Sequence, residues 1–345
     1  MIPLPIPPLP DERLRAPLQQ AIDQKTKPLG ALGQLEAVAL QLGLIQNRLD
    51  PTVAHPFALV FAADHGVTRH HPVSAYPRDV TWQMVANFLG GGAAINVFCC
   101  TLGIPLKVVD AGVDHPIPPH PDLIEAKLAW GSRDYVTEPA LGRPLAEAAV
   151  AKGAEIVANL PQPLDCLIVG EMGIGNTATA SLLLHCLTGL PLAALVGRGT
   201  GLDDQGVATK RQILEQALAR GGCPQNPWDI LAEYGGLEIA QMAGAMIAAA
   251  ARRAVVLVDG FIATAAALVA QRLEPRVSPF LIFSHVSQEQ GHRAVLDHLG
   301  VKPLLALDLR LGEGTGAALA YPLVRAAAAI LSDMATFASA GVTQK

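Results

Sequence analysis

Short apolar runs that end in glycine or in a polar residue recur along the chain, and a helical pattern follows most of them. The runs are rich in valine, leucine and isoleucine. Continuous apolar runs of this length are typical of strands that are buried on both faces of a parallel sheet. The predicted strands are residues 57–62, 106–109, 166–169, 192–196, 255–258, 280–283 and 304–307.

The stretches between these runs have the spacing of helices, which completes repeated strand–helix–strand units. The clearest helical stretches are residues 80–88, 178–187, 237–252 and 317–331. The pattern therefore predicts an α/β fold with a mostly parallel sheet, which we assign to residues 50–320.

The two ends of the chain differ from this middle part. Residues 11–47 indicate two helical pieces separated by Lys27-Pro28-Leu29-Gly30, and residues beyond 320 show a helical pattern without a strand. We expect residues 1–49 and 321–345 to form a small helical domain together.

Glycine and polar residues gather at the points where the predicted strands end. In open α/β sheets, ligands bind beyond the carboxyl ends of the strands. This clustering predicts an enzyme that acts on a small molecule.

Composition narrows the classes of partner and location. Charged residues make up 16% of the chain, the net charge is −5, and the lysines and arginines are scattered, which argues against nucleic acid as a partner.

The five cysteines are odd in number and form no CxxC pair, so we expect no disulfide framework and a reducing, cytoplasmic location. The start of the chain lacks the pattern of a secretion signal. The long uncharged stretch at 172–197 contains polar residues and glycines, so we interpret it as loop, buried helix and strand rather than a membrane span.

The first candidate site is the sequence GEMGIGNT at residues 170–177, between a predicted strand and a predicted helix. Glycines let backbone N–H groups approach an anion, and the helix N-terminus adds partial positive charge. The spacing matches neither the Walker loop nor the dinucleotide-binding GxGxxG pattern. Glu171 would repel a phosphate, which favours a catalytic role for it. The alternative is a tight turn without a ligand.

The second candidate site is LGEGTG at residues 311–316, again between a strand and a helix. Its carboxylate, Glu313, is flanked by glycines, and its surroundings could raise its pKa and make it a general base. A solvated turn glutamate is the alternative. Two carboxylates on glycine-rich strand ends also resemble a glycosyl-transfer site.

Weaker signals lie in three other loops. GRGTG at 197–201, followed by Lys210, could hold a phosphate, although a lone lysine is more often a surface residue. Ser284-His285-Val286-Ser287 offers hydroxyls near another strand end. Residues 74–83 could line a pocket for a flat heterocycle or simply form a loop and a helix cap. No metal-binding motif is found, so no metal is expected.

Taken in order along nearly the whole chain, these residues resemble the nicotinate-nucleotide–dimethylbenzimidazole phosphoribosyltransferase family. The resemblance is carried by KPLG at 27–30, ADHGV at 63–67, GGG at 90–92, DAGVD at 110–114, the loop at 170–177, DGF at 259–261, SHVS at 284–287 and RLGEG at 310–314. The loop at 170–177 and the segment at 310–316 are the most specific of these.

The resemblance implies a Rossmann-like, doubly wound sheet, a homodimer, and no metal or cofactor. It implies nicotinate mononucleotide as donor and 5,6-dimethylbenzimidazole as acceptor, with α-ribazole 5′-phosphate and nicotinate as products. Glu313 would be the catalytic base, and Glu171 would act beside the ribose. The matching substrate-binding positions are Gly173, Gly175, Gly199, Lys210 and Ser287 for the donor, Ser74, Tyr76 and Gln83 for the benzimidazole, and Leu311 and Gly312 beside the base.

Two other functions stay open from sequence. A non-catalytic regulatory protein could hold a nucleotide with the same loops, but binding a phosphate gains nothing from the carboxylates of Glu171 and Glu313. A dinucleotide-dependent oxidoreductase would fit the α/β pattern, but the chain lacks the GxGxxG loop with an acidic residue about 20 positions later.

Overall fold

A single parallel sheet organises the chain. The structure is a computed structural model, and it describes residues 4–343; the outermost residues of the predicted helical domain, 1–3 and 344–345, lie outside the described residues. All neighbouring strands run parallel in the order β3-β2-β1-β4-β5-β6. The strands are β1 (Pro56–Ala63), β2 (Leu106–Gly112), β3 (Leu123–Glu125), β4 (Cys166–Met172), β5 (Val255–Val258) and β6 (Leu281–Phe283).

Helices cover both faces of this sheet, as the continuous apolar strands require. Every residue of β1 and β5 is buried, so neither face of the central strands meets water. The helices are α1 (Arg15–Asp23), α2 (Gln34–Gln46), α3 (Val80–Leu89), α4 (Ala94–Leu102), α5 (Arg143–Ala158), α6 (Asn176–Thr188), α7 (Leu192–Leu195), α8 (Asp204–Gly221), α9 (Pro227–Tyr234), α10 (Leu237–Ala251), α11 (Phe261–Leu273), α12 (His292–Leu299), α13 (Thr315–Ser332) and α14 (Phe337–Ala340). Short 3₁₀ turns lie at Glu12–Leu14, Gly66–Arg69 and Pro275–Phe280.

The central helix α10 packs across four strands and against α5. The two helices touch through their backbones: a Cβ at Gly153 would lie 1.8 Å from the carbonyl oxygen of Gln241, and one at Gly244 would lie 1.8 Å from that of Val150. Only glycine permits this approach. The crossing fixes α10, whose N-terminus reaches the carboxyl edge of the strands, where Glu238 contacts His65.

The two chain ends contact each other. Lys25 extends its ammonium group to the carbonyl oxygens of Leu331 and Met334, at 2.9 and 2.6 Å, where it meets the C-terminal end of α13. Helix α13 also packs on α2 and, near its start, on β4 and β5. The helical pieces of the N-terminus are therefore joined to the sheet through α13, and the predicted domain boundaries stay a prediction.

Two predicted strands are not strands. Residues 192–195 form helix α7, and residues 304–307 make only one isolated bridge, between His285 and Leu305. A short apolar run fits a buried helical turn as well as a strand, and Pro191 stands at the start of α7. The edge strand β3 was missed, because three half-exposed residues carry no periodicity.

The cysteines also depart from expectation. Cys186, in α6, and Cys223, after α8, are paired in a disulfide with their Cα atoms 5.2 Å apart. The odd count in the sequence did not prevent one pair, because pairing depends on which chain segments meet. Cys99 and Cys166 are buried thiols and Cys100 is an exposed one.

Within the described residues 4–343, two stretches are long and apolar enough to cross a membrane by length and composition alone. One is Val80–Leu102, which α3 and α4 share, and the other is Thr315–Ser332. The second is mostly buried inside the fold, as core helices of soluble proteins are. The uncharged stretch noted in the sequence ends β4 and forms α6 and α7, without the predicted strand.

We expect Gly153→Ala or Gly244→Ala to lower the free energy of unfolding by about 1–3 kcal/mol, because the added methyl group forces the two helix backbones apart. Alanine's better helix propensity, worth about 1 kcal/mol, offsets only part of this. Denaturant unfolding measures the change. Lys152→Ala, on the outer face of α5, is the control and should change stability by less than about 0.5 kcal/mol. A neutral Gly153→Ala variant would contradict the backbone contact.

Candidate active site

Loops that follow β1, β4, β5 and β6 surround one cavity at the carboxyl edge of the sheet, with a volume of about 640 Å³. Adjacent parallel strands end at the same edge, so loops far apart in sequence meet there. The loop after β4 and the turn before α13 form one wall, and residues from α3 and the loop before it form another.

The end of β4 and the turn before α13 touch at their backbones. A Cβ at Gly170 would lie 2.0 Å from the carbonyl oxygen of Glu313, and one at Gly312 would overlap Oε1 of Glu171. Neither position tolerates a side chain. The two glycines therefore bring Glu171 and the Glu313 turn into direct contact.

Glu313 lies in the left-handed region, with φ 64°, between two glycines that also have positive φ. Its carboxylate accepts the backbone N–H of Ile95 at 3.2 Å, in the first turn of α4. Burial raises the pKa of Glu313, and the nearby charge of Asp259 adds to the effect, while the Ile95 N–H opposes it. The group is a carboxylate with raised basicity that faces the cavity.

Glu171 is buried to the same extent as Glu313. Burial raises its pKa to about 8, and the charges of Asp259, Glu238 and Glu313 act in the same direction. A hydrogen bond from the side-chain amide of Asn176 opposes the shift. At neutral pH the group is therefore mostly protonated. A neutral Glu171 does not repel a phosphate, which removes the objection that its position raised in the sequence.

A fully buried lysine lies behind the first turn of α6. The ammonium group of Lys210, in α8, donates to the hydroxyl of Thr177 at 2.8 Å and to the carbonyl of Gly197 at 3.3 Å. Burial lowers its pKa to about 8, and the carboxylate of Glu289 opposes this. Because Thr177 lies in the first turn of α6, the helix N-terminus and the cation share one place. A helix N-terminus beside a buried cation is an arrangement that favours an anion.

Ser287 and Gly199 offer a hydroxyl and a backbone N–H in other parts of the cavity lining. Ser287 is held in place because its N–H donates to Nδ1 of His292 at 2.9 Å. The N–H of Gly199 donates to Oε1 of Glu289 at 3.1 Å, so it reaches a bound anion only after that carboxylate moves.

Most of the predicted site residues line the cavity. These are Ser74, Tyr76, Glu171, Gly173, Gly175, Gly199, Ser287, Leu311, Gly312 and Glu313. Lys210 lies behind the lining, where it is fully buried and acts through Thr177. Gln83 is exposed on α3, and the lining residues of that helix are Val80 and Met84.

Two residues that hold Glu313 or its turn in place, Ile95 and Asp259, were not predicted to have a role in the site. Ile95 follows the GGG turn at 90–92, whose place between α3 and α4 signals a new helix N-terminus. Asp259 follows β5 directly, and a strand-end aspartate before glycine was its signal. The pattern could not show that either one faces Glu313.

His65, in the ADHGV sequence, is fully buried beneath the loop after β4. Its ring nitrogens contact Glu238 at 2.8 Å and Thr179 at 2.9 Å. A Cβ at Gly173 would lie 3.2 Å from its Nε2. The histidine thus supports the loop from behind. Within residues 4–343, no three His, Cys, Asp or Glu side chains gather in a way that would hold a metal ion.

Comparison with known proteins adds a family context to this geometry. A phosphoribosyltransferase family model matches residues 7–342. The nicotinate-nucleotide–dimethylbenzimidazole phosphoribosyltransferase of Aromatoleum aromaticum is 57% identical over 339 residues, which cover 98% of each chain. That of Cupriavidus necator is 58% identical over 334 residues, or 96% of each chain. The crystal structure of the Thermus thermophilus protein with this name superimposes with a TM-score of 0.92 at 43% identity, over 97% of this chain and 100% of its own.

We expect Lys210→Met to weaken the binding of ribose 5-phosphate by about 10- to 100-fold, because the buried positive charge behind Thr177 that attracts the phosphate is lost. Isothermal titration calorimetry measures the affinity. Lys152→Met, on α5 and outside the cavity, is the matched control. Unchanged affinity of the Lys210 variant would contradict the anion site.

The same cation predicts a pH dependence. The lowered pKa of Lys210, about 8, means that its charge is present below pH 8 and is lost as the pH rises through that value. Affinity for ribose 5-phosphate should therefore fall between about pH 7.5 and 9. Lys210→Arg keeps its charge throughout this range and should remove the decline, even if its affinity is lower. A wild-type affinity that stays flat to pH 9.5 would count against a cationic Lys210 in the site.

Proposed function

Because the chain belongs to the nicotinate-nucleotide–dimethylbenzimidazole phosphoribosyltransferase family, we propose that it transfers ribose 5-phosphate from nicotinate mononucleotide to 5,6-dimethylbenzimidazole. The products are α-ribazole 5′-phosphate and nicotinate, and the reaction builds the lower ligand of cobalamin. One observation supports this most: a buried carboxylate of raised pKa, Glu313, lines the same cavity as Thr177, which accepts a hydrogen bond from the buried cation of Lys210.

The donor binds with its phosphate at the N-terminal turn of α6. Lys210 and Thr177 supply the charge and a hydroxyl, and Ser287 and Gly199 lie on the other side. Gly173 and Gly175 have no side chains, so the ribose approaches the backbone of this loop. The neutral carboxyl group of Glu171 is then a hydrogen-bond donor to the ribose rather than a repelling charge.

The acceptor binds between the loop that precedes α3 and the turn before α13. Ser74 and Tyr76 from that loop and Val80 and Met84 from α3 offer the apolar and polar surfaces that a flat bicyclic base requires. Leu311 lies on the opposite wall. Gln83, which is exposed, contacts the base only if α3 or its side chain moves inward on binding.

The chemistry is one displacement at the anomeric carbon. One ring nitrogen of the benzimidazole forms a bond to that carbon as the bond to nicotinate breaks, and the bonding electron pair returns to the pyridine nitrogen. The leaving group is already cationic, so it needs no acid. Glu313 accepts the proton from the second ring nitrogen, which prevents charge from building on the acceptor. Attack opposite to the leaving group inverts the anomeric centre.

Membership of the same family also suggests the location, fold and oligomeric state of the protein. We propose a cytoplasmic, Rossmann-like enzyme that works as a homodimer on small molecules, without nucleic acid or membrane as a partner. The strand order 3-2-1-4-5-6 is that of the Rossmann fold, which supports this part of the proposal.

The activity is tested with nicotinate mononucleotide and dimethylbenzimidazole, and chromatography follows nicotinate and α-ribazole 5′-phosphate. Both products should increase together in equal amounts. If nicotinate never forms while the mononucleotide binds, the protein is a nucleotide-binding protein and the catalytic proposal fails.

We expect Glu313→Gln to fold normally and to lose about 100-fold or more of kcat, because the amide cannot accept the acceptor's proton. The matched control is Glu125→Gln, an exposed carboxylate at the end of β3 and outside the cavity, which should keep full activity. Near-normal turnover by Glu313→Gln would exclude it as the base.

The pH profile gives a second test of Glu313. A base acts in its ionised form, so turnover is present above its pKa and is lost as the pH falls through it. Because burial raises the pKa of Glu313 above 4.5, this loss should set in at a pH above 4.5. The residual activity of Glu313→Gln should lack the same acidic limb, and a limb that persists would assign it to another group.

A further inference from the structure

Asp259 is a buried carboxylate that serves the first turn of α13. It follows β5 directly and is 1% exposed. Its Oδ2 accepts the N–H of Gly314 at 3.2 Å, and its Oδ1 accepts the N–H of Ala317 at 3.0 Å. Both N–H groups lie at the start of α13, where no carbonyl of the helix itself can accept them. A strand end is thus tied to a helix N-terminus.

Glu313, which comes directly before Gly314, is the residue whose position depends most on these two hydrogen bonds. It adjoins Gly314 and has φ 64°, a conformation that residues other than glycine rarely adopt. Within the turn, Thr315 donates twice to the carbonyl of Gly312, at 3.1 Å from its N–H and 2.8 Å from its hydroxyl. These local bonds shape the turn but do not attach it to the sheet. Asp259 makes that attachment.

Asp259 is itself held from a third element. The hydroxyl of Ser284, after β6, donates to its carbonyl oxygen at 3.2 Å, and the ring of His285 lies with Nδ1 3.7 Å from Oδ1. The same ring packs on the backbone of Gly316, where a Cβ would overlap it. The aspartate therefore has no freedom to shift, and neither does the helix turn it holds.

We propose that Asp259 is a positioning residue for phosphoribosyl transfer: by holding the first turn of α13 it orients the carboxylate of Glu313 toward the acceptor. The inference rests on the proposed function. It does not need Asp259 to touch either substrate, and it accounts for a buried carboxylate placed beside two others.

The placement also has an electrostatic consequence. Burial raises the pKa of Asp259 to about 7, and the backbone N–H groups oppose that rise. Its charge in turn raises the pKa values of Glu171 and Glu313. His285 does not offset this charge at neutral pH, because burial lowers its pKa to about 4. One side chain thus both fixes the turn and increases the basicity of the group that the turn carries.

The first test is the kinetics of Asp259→Asn. The amide keeps the shape but loses the charge and offers one acceptor in place of two. We expect kcat to fall by about 10- to 100-fold, as misplacement of a catalytic group does. The KM for nicotinate mononucleotide should stay within about 3-fold, because the phosphate site on α6 and α8 is untouched. A fall in affinity with unchanged kcat would overturn the proposal.

Asp165→Asn is the matched control. Asp165 is also buried and accepts the backbone N–H groups of Ala54 and His55 at 2.8 and 2.9 Å. It stands before β4, at the opposite edge of the sheet from the cavity. This variant should lose stability without a specific loss of kcat. If both variants lose the same activity, Asp259 contributes only to stability.

A double-mutant cycle separates positioning from general support. In the Glu313→Gln background, Asp259→Asn should cost less than about 3-fold, because the group it orients is already gone. A further 10- to 100-fold loss there would show that Asp259 acts independently of Glu313 and would overturn the proposal.

Amide hydrogen exchange tests the tie without relying on activity. In Asp259→Asn, or in Asp259→Ser if the first variant does not fold, peptides that cover residues 312–320 should exchange faster, while those of α10 stay protected. Unchanged protection at 312–320 would overturn the proposal. An inactive wild-type protein with the expected exchange pattern would instead disprove the proposed function and leave the structural tie in place.

Discussion

The close contact between the backbone of Gly170 and that of Glu313 determines how the rest of the site is built. It places the last turn before α13 against the end of β4, at a distance that no side chain permits. Because β4 is a central strand with β1 on one side and β5 on the other, this contact draws the loops of three strands toward one point. The cavity lies where they meet, and its two carboxylates come from segments more than a hundred residues apart.

Charge is distributed unevenly across that cavity. Glu171, Asp259 and Glu313 lie close together, and burial and the charge of Asp259 raise the pKa values of both glutamates. Lys210 lies behind Thr177 in the first turn of α6, next to Asn176, which donates a hydrogen bond to Glu171. The carboxylates favour proton uptake, and the lysine favours an anion. A substrate that carries a phosphate and a cationic leaving group on one ribose matches both features. The same burial that makes the charge of Lys210 costly strengthens its attraction for a phosphate.

Much of this was visible along the chain. Strands β1, β2, β4, β5 and β6 coincide with apolar runs in the sequence. The glycine-rich segments at 170–177 and 311–316 stand out by composition. The run at 192–196 was assigned to the wrong element, since four or five apolar residues bounded by proline and glycine bury equally well as a helical turn. The pairing of Cys186 with Cys223 depended on the way α6 and α8 pack, which no spacing reveals.

The sequence alone determined the alternation of strands and helices, the places where glycine is required, and the residue types able to perform the chemistry. These are local properties, set by hydrophobic periodicity and by the backbone freedom of glycine. Only the tertiary structure decided that Ile95 and Asp259 hold Glu313, that Lys210 is buried against Thr177, and that Gln83 faces away from the cavity. Those are contacts between residues distant along the chain, and the pKa values that govern the chemistry follow from burial, which arises only when the sheet and its helices are assembled.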